Sequence, residues 1–183
     1  MPFPLVIKVL GSRWNHGINP GDMTANSEVI ELTLASTLES VEKAEEVTAG
    51  VCVKAGFDEE DQHRVGMAVH ESIINAVRHG NKFDSGKRVW LNFHIYADRL
   101  EIRIRDQGEG FDLSRVPDPL ETGNLLKVSG RGIFLIRSFV DEFRVRVLPG
   151  AGTEVIMVKF KDSSTKIDQG GTHREHEGEN APR

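Results

Sequence analysis

Glu71, Asn75 and His79 recur at i, i+4 and i+8 in a stretch whose apolar residues Val65, Val69, Ile73 and Val77 keep helical spacing. On a helix each of the three lies one turn above the last, at the border of the apolar stripe rather than opposite it. A carboxylate and a carboxamide one turn apart suit a magnesium site, because hard cations take oxygen ligands and keep several waters. The plainer reading is a helix edge carrying ordinary surface polars. Asp106 opens a second cluster, Asp106-Gln107-Gly108-Glu109-Gly110-Phe111, directly after an alternating strand pattern. A carboxylate at a strand end can accept a hydrogen bond from an exocyclic amine such as that of adenine. Glycines at alternate positions allow tight turns and close approach of the backbone to a ligand. Asp and Gly also make turns for no functional reason. A third cluster, Ser129-Gly130-Arg131-Gly132-Ile133, stands just before a helix. Free N–H groups and the positive end of a helix dipole make a phosphate cradle there. Arg131 either adds a charge-assisted contact to phosphate or is simply solvated. Gly152-Thr153 begins the last strand; it is a turn by default, or a place where a hydroxyl joins contacts to a base.

These clusters need a scaffold, and the hydrophobic pattern supplies one. Residues 29–34 alternate as a half-buried strand. Ser36 or Thr37 then caps a helix to about residue 54, stopped by Gly56. Asp58 starts a second helix reaching His79, with Gly80 at its end. Residues 89–95 and 100–104 alternate on either side of a turn at 97–99, as a hairpin with one face inside. Residues 107–129 form a long loop rich in Gly, Pro, Asp and Ser, a length found in functional or mobile loops. A third helix covers about 132–140, and strands at 143–148 and 154–160 finish the pattern. The expected fold class is α/β, a two-layer α/β sandwich with a mixed sheet and helices on one face.

The chain has 183 residues, a single-domain length. The pattern divides it into an N-terminal extension at 1–27, loose or a short added hairpin, a domain at 28–161, and a polar tail at 162–183 expected to be disordered. The net charge of -5 argues against a nucleic-acid partner, whose phosphates demand basic patches. No apolar run approaches the ~20 residues of a membrane span, and no signal peptide is read, so a cytoplasmic protein is expected. The single cysteine, Cys52, excludes an internal disulfide. The seven histidines are scattered, which speaks against structural zinc.

Taken together, the clusters resemble the ATP-binding fold shared by gyrase, heat-shock chaperone ATPases, histidine kinases and the MutL repair proteins. Glu71-xxx-Asn75-Ala76-xx-His79-Gly80 is similar to the N box of that superfamily. Asp106-x-Gly108-x-Gly110-Phe111 is similar to its first glycine box, Gly130-x-Gly132 to its second, and Gly152-Thr153 to its closing Gly-Thr. Within it, the chain most resembles the bacterial anti-sigma-factor serine kinases, because no dimerising histidine helix precedes the domain and the third helix ends in Val140-Asp141-Glu142. That resemblance implies ATP and Mg²⁺ as cofactors and the long loop as a lid. It implies Asn75 as a magnesium ligand, Glu71 as general base on a protein hydroxyl, and Asp106 as reader of the adenine amine. It also implies His79, Gly108, Gly110, Gly130, Arg131, Gly132 and Thr153 around the nucleotide. The implied partner is a STAS-domain anti-anti-sigma factor, with a sigma factor as a further partner; a homodimer is compatible with the likeness. The alternatives are a nucleotide-dependent anti-sigma binding module with little kinase activity and a detached histidine-kinase catalytic domain. Two departures stand out: Val128 occupies the place of a common basic residue before Ser129-Gly130, and His79-Gly80-Asn81-Lys82 replaces a common His-Ala-Tyr ending.

Overall fold

The computed structural model describes residues 6–10, 28–110 and 131–161. Among these, the order is β1 (Val6–Leu10), β2 (Glu28–Ala35), α1 (Glu39–Ala55), α2 (Glu59–Asn75), a π-helical turn (Ala76–Gly80), β3 (Arg88–Ile95), β4 (Arg99–Arg105), α3 (Arg131–Phe139), β5 (Glu142–Leu148) and β6 (Gly152–Phe160). The strands form one sheet in the order β1-β2-β3-β4-β6-β5. The expectations for the tail at 162–183 and for residues 111–129 of the long loop fall outside the described residues.

The two-layer sandwich is present. The sheet, expected to be mixed, is antiparallel at every described pairing. Connectivity explains this. Two helices between β2 and β3 return the chain to the end where β2 finished, so β3 runs back. The crossover through α3 delivers β5 two places from β4, and β6 turns back into the gap between them. Of the N-terminal extension, residues 6–10 add an antiparallel strand at the sheet edge, with Ile7 opposite Leu32 and Val9 opposite Ile30.

The core lies between sheet and helices. Period-two alternation puts Leu32, Leu91, Ile104 and Val155 in one cross-strand row, and Ile30, Phe93, Ile102 and Met157 in the next. Val41, Ala44, Val51 and Cys52 of α1 and Val65, Val69 and Ile73 of α2 close over them, joined by Val77 and by Ile136 of α3. Cys52 is fully buried, and burial pushes its thiol up to about 12, so it is an inert core residue.

Helix ends follow local chemistry with one correction. The Asp58 side chain caps α2 by accepting from Asp61 N at 2.8 Å. Gly56 ends α1 in the left-handed region at φ 82°. The start of α1 is not capped by Ser36 or Thr37; the cap position is Leu38, which has no side-chain acceptor. Ser40 N bonds Thr37 O and Val41 N bonds Leu38 O, so the first turn closes on its own backbone, and Glu39 and Glu42 complement the dipole.

The second helix departs from expectation at its end. It is α-helical to Asn75 and then widens into the π turn, with Asn81 N donating to Ala76 O at 2.7 Å. The straight stripe Glu71–Asn75–His79 is therefore broken at its last step, because the wider turn rotates His79 relative to the first two.

Candidate functional site

A cavity of about 360 Å³ opens between the end of α2, the start of α3 and the ends of β4 and β6. Its floor is apolar, formed by Ile104, Ile136 and Val155, and its polar groups gather at two ends.

One end is built on Asp106, which follows β4 directly and is buried. Its Oδ1 accepts from Gly108 N at 2.7 Å and Thr153 N at 3.2 Å, and its own N–H donates to Thr153 O at 3.0 Å. Oδ2 receives no donor among the described residues and is the side of the carboxylate left for a ligand. Burial pushes this carboxyl above the usual range, against the opposing pull of the Gly108 and Thr153 amides and of Lys87 and Arg105. Glycines make the approach possible. A Cβ on Gly80 would sit 2.5 Å from Asp106 Cγ, and one on Gly152, at φ 100°, would collide with the Asp106 carbonyl. Thr153 is buried against the same carboxylate. Gly108 packs on the backbone of Gly80, and Gly110 on Val147.

The other end joins Glu71, Asn75 and Gly132. A Cβ on Gly132 would lie 2.8 Å from Glu71 Oε2 and 3.4 Å from Asn75 Nδ2, so the first turn of α3 sits directly over this pair. The Asn75 Nδ2 is enclosed and has no partner among the described residues. Glu71 and Gly80 stand nine positions apart on α2 and the π turn, on the order of 10 Å along the axis. That length suits an elongated ligand carrying different chemistry at its two ends.

Of the residues singled out by spacing, Glu71, Asn75, His79, Asp106, Gly110, Gly132 and Thr153 line the one cavity. His79 is exposed at its rim. Gly108 stands behind Asp106 rather than in the lining. Gly130 and the side chain of Arg131 lie outside the described residues; Arg131 is the first residue of α3. Two residues were missed. Arg78 lines the cavity and has no ion pair among the described residues. It stands at i+7 from Glu71, a spacing that would have placed it on the same face. Asn81 is fully buried behind Asp106; in the sequence it stands out only as part of the departure His79-Gly80-Asn81-Lys82, with no role attached.

Comparison with known proteins gives a consistent grouping. The histidine kinase-like ATPase domain family matches residues 34–159. A serine-protein kinase RsbW of Listeria innocua is 31% identical over 144 residues, covering 75% of this chain and 90% of the relative. One from Bacillus licheniformis is 33% identical over 135 residues, covering 70% and 82%. One from Bacillus subtilis is 29% identical over 161 residues, covering 85% and 99%. The crystal structure of the RsbU and RsbW domains of a Mycobacterium tuberculosis protein superposes with a TM-score of 0.54 at 17% identity, covering 72% of this chain and 32% of that one.

Proposed function

The chain belongs to the histidine kinase-like ATPase family, in the group of the RsbW serine-protein kinases, and from that premise we propose that it transfers the γ-phosphoryl group of ATP to a serine or threonine hydroxyl of a partner protein. The observation that carries this reading is the meeting, in one cavity, of a carboxylate locked by two backbone amides and a Glu71–Asn75 pair under the first turn of α3. The free side of Asp106 accepts the adenine amine. The apolar floor takes the base, and Thr153 supports the carboxylate from behind. The α3 N-terminus, where Gly130, Arg131 and Gly132 stand in sequence, receives the phosphates through its N–H groups and dipole. Arg78 adds charge at the cavity wall, where the sequence lacks the basic residue before Ser129.

Glu71 is the general base. The substrate hydroxyl oxygen attacks the γ-phosphorus, ADP leaves with the bridging oxygen, and the hydroxyl proton passes to the Glu71 carboxylate. The donor set fits a magnesium ion. No described residue donates to the Asn75 Oδ1, which lies with the enclosed Nδ2 beneath Gly132, so that oxygen is available to a hard cation beside Glu71. When bound, the ion neutralises charge on the phosphates. Among the described residues no three His, Cys, Asp or Glu side chains converge on one point, so the cation would rely on Asn75, water and the nucleotide's own oxygens.

The partner fitting this chemistry is a STAS-domain anti-anti-sigma protein presenting a serine or threonine, with sequestration of a sigma factor as the regulatory output; a homodimer is compatible with this reading. The domain reading is an ATPase domain at 28–161 flanked by an extension and a tail. No helix among the described residues is long and apolar enough to cross a membrane. The test is transfer from γ-labelled ATP to a STAS-domain protein from the same genome. Acid-stable label that requires Glu71 and Asn75 supports the reading. Acid-labile label would assign the product to histidine instead, and absence of transfer with ATP still bound would leave a nucleotide-dependent binding module.

A further inference from the structure

The ladder between β3 and β4 runs from Ile95 opposite Leu100 to Trp90 opposite Arg105. Continued by the same register, it would oppose Val89 and Asp106 and then Arg88 and Gln107. Something else happens there. The Gln107 N–H donates to Asn81 Oδ1 at 2.8 Å, and Asn81 Nδ2 donates to the Arg88 carbonyl at 2.9 Å. The carboxamide of Asn81 is thus spliced between an N–H and a C=O that the ladder would have brought together. The Arg88 N–H donates to Gln107 Oε1 at 2.6 Å, closing a ring of three residues. Asn81 is 0% exposed, and its own N–H closes the π turn on Ala76 O.

The splice has a geometric consequence. Gln107 follows Asp106, so the Asn81 carboxamide holds the chain after Asp106 away from β3 by the width of an amide. The residue before Asn81 is Gly80, whose backbone packs against the Asp106 carboxyl on its ligand side. One buried side chain therefore fixes both the position of the carboxylate and the wall facing it. Without the carboxamide, the Gln107 N–H and the Arg88 carbonyl would each lose the bond that Asn81 supplies. The register of the ladder would bring these two groups together, so they would recover a bond by closing on each other. That closure would drag Asp106 toward β3.

We propose that Asn81 is the positioning residue for adenine recognition, aiming Asp106 by separating β3 from the chain that follows β4. The inference rests on the reading that Asp106 accepts the adenine amine, and it adds a residue and a device that this reading lacks. Asn81 acts through Asp106 and touches no nucleotide.

The test is calorimetric titration of the full chain with ATP and with ITP, both with Mg²⁺, for the native protein, Asn81→Ala and Asn81→Asp, with thermal unfolding alongside. ITP carries an oxygen where ATP carries the amine, so the ratio of the two affinities reports the aim of Asp106. The native chain prefers ATP. In Asn81→Ala that preference falls about tenfold or more, the equivalent of one well-placed hydrogen bond, while ITP affinity changes less than about threefold. Asn81→Asp keeps an acceptor for Gln107 and loses the donor to Arg88, so its ratio lies between the two. A folded Asn81→Ala with the native ratio overturns the proposal, as does an equal loss of ATP and ITP affinity, the mark of a merely structural role. If the Ala variant does not fold, Asn81→Asp decides, and a native ratio there overturns it. A native chain with no preference for ATP brings down the Asp106 reading and this inference together, whereas a preference that survives both variants brings down only this inference.

Discussion

The two ends of the cavity are built to different standards. At the Asp106 end every contact is backbone or a buried side chain. Two amides hold the carboxylate, two glycines admit it, and Asn81 braces it from behind. At the Glu71 end the groups are half-buried side chains on one helix, with an unpaired amide nitrogen between them and a neighbouring helix turn overhead. The first end is finished by the fold itself. The second is finished by what binds. Recognising a rigid base requires preorganisation, while moving a phosphoryl group requires donors that become fully engaged only with nucleotide, cation and substrate present.

The largest expected break falls at the soft end. Glu71→Ala lowers phosphoryl transfer by about 10²–10⁴-fold, the usual worth of a general base, while ATP affinity stays within a few-fold. Full transfer in that variant, measured with labelled ATP, would remove Glu71 from its role. A pair of glycine substitutions then sets the ends directly against each other. Gly152→Ala forces a Cβ into the Asp106 backbone at a positive φ and costs about 3 kcal/mol of folding stability by denaturant titration. Gly132→Ala meets only the tip of the Glu71 side chain, which can swing away; it costs less than about 1 kcal/mol yet lowers transfer by displacing that carboxylate. Equal stability losses would erase the contrast.

Asp106→Asn is gentler. An Asn oxygen keeps the Gly108 and Thr153 amides, so the fold survives, and the NH₂ group now faces the base. The preference for ATP over ITP drops by about tenfold or more, toward the nucleotide whose base accepts. The raised carboxyl of Asp106 gives this a pH signature. Base preference needs the ionised carboxylate, so it fades on acidification at a higher pH than an ordinary aspartate would show. Stability runs the other way. A carboxyl raised by burial favours the fold below its unfolded value, and that contribution is lost as pH rises through its folded value. At neutral pH, Asp106→Asn therefore unfolds at or above the native temperature. The smallest effect is expected at Arg78. Its removal weakens ATP about tenfold and leaves adenosine unchanged, as loss of one charge-assisted phosphate contact should.

The sequence was legible where local chemistry decides. Alternation at 89–95 and 100–104 produced β3 and β4 in register, and Asp58 and Gly56 marked helix ends that hold. The carboxylates at Glu71 and Asp106 and the carboxamide at Asn75 could be picked out because a helix stripe and a strand end are one-dimensional patterns. The π turn was hidden because its backbone bonds, Asn81 N to Ala76 O and Phe83 N to Val77 O, go with positive φ at Lys82 and Phe83 and with an Asn81 side chain held by distant partners, none of which the hydrophobic period records. Asn81 was hidden for the same reason, since its partners are 7 and 26 residues away. The start of α1 misled because Ser36 and Thr37 suggest a side-chain cap, whereas the backbone closes one residue later at Leu38. Residues 6–10 have the composition of a strand but no alternating partner nearby to announce their place at the sheet edge.

The most direct test of the contrast is nucleotide titration of the native chain with ATP, ITP and adenosine, with Mg²⁺ and again with the ion chelated. A finished base end and a ligand-completed phosphate end predict that chelation leaves the ATP-to-ITP ratio unchanged and collapses the advantage of ATP over adenosine by about tenfold or more. An ATP-to-ITP ratio that vanishes with the cation, or an ATP advantage that ignores it, would contradict the account.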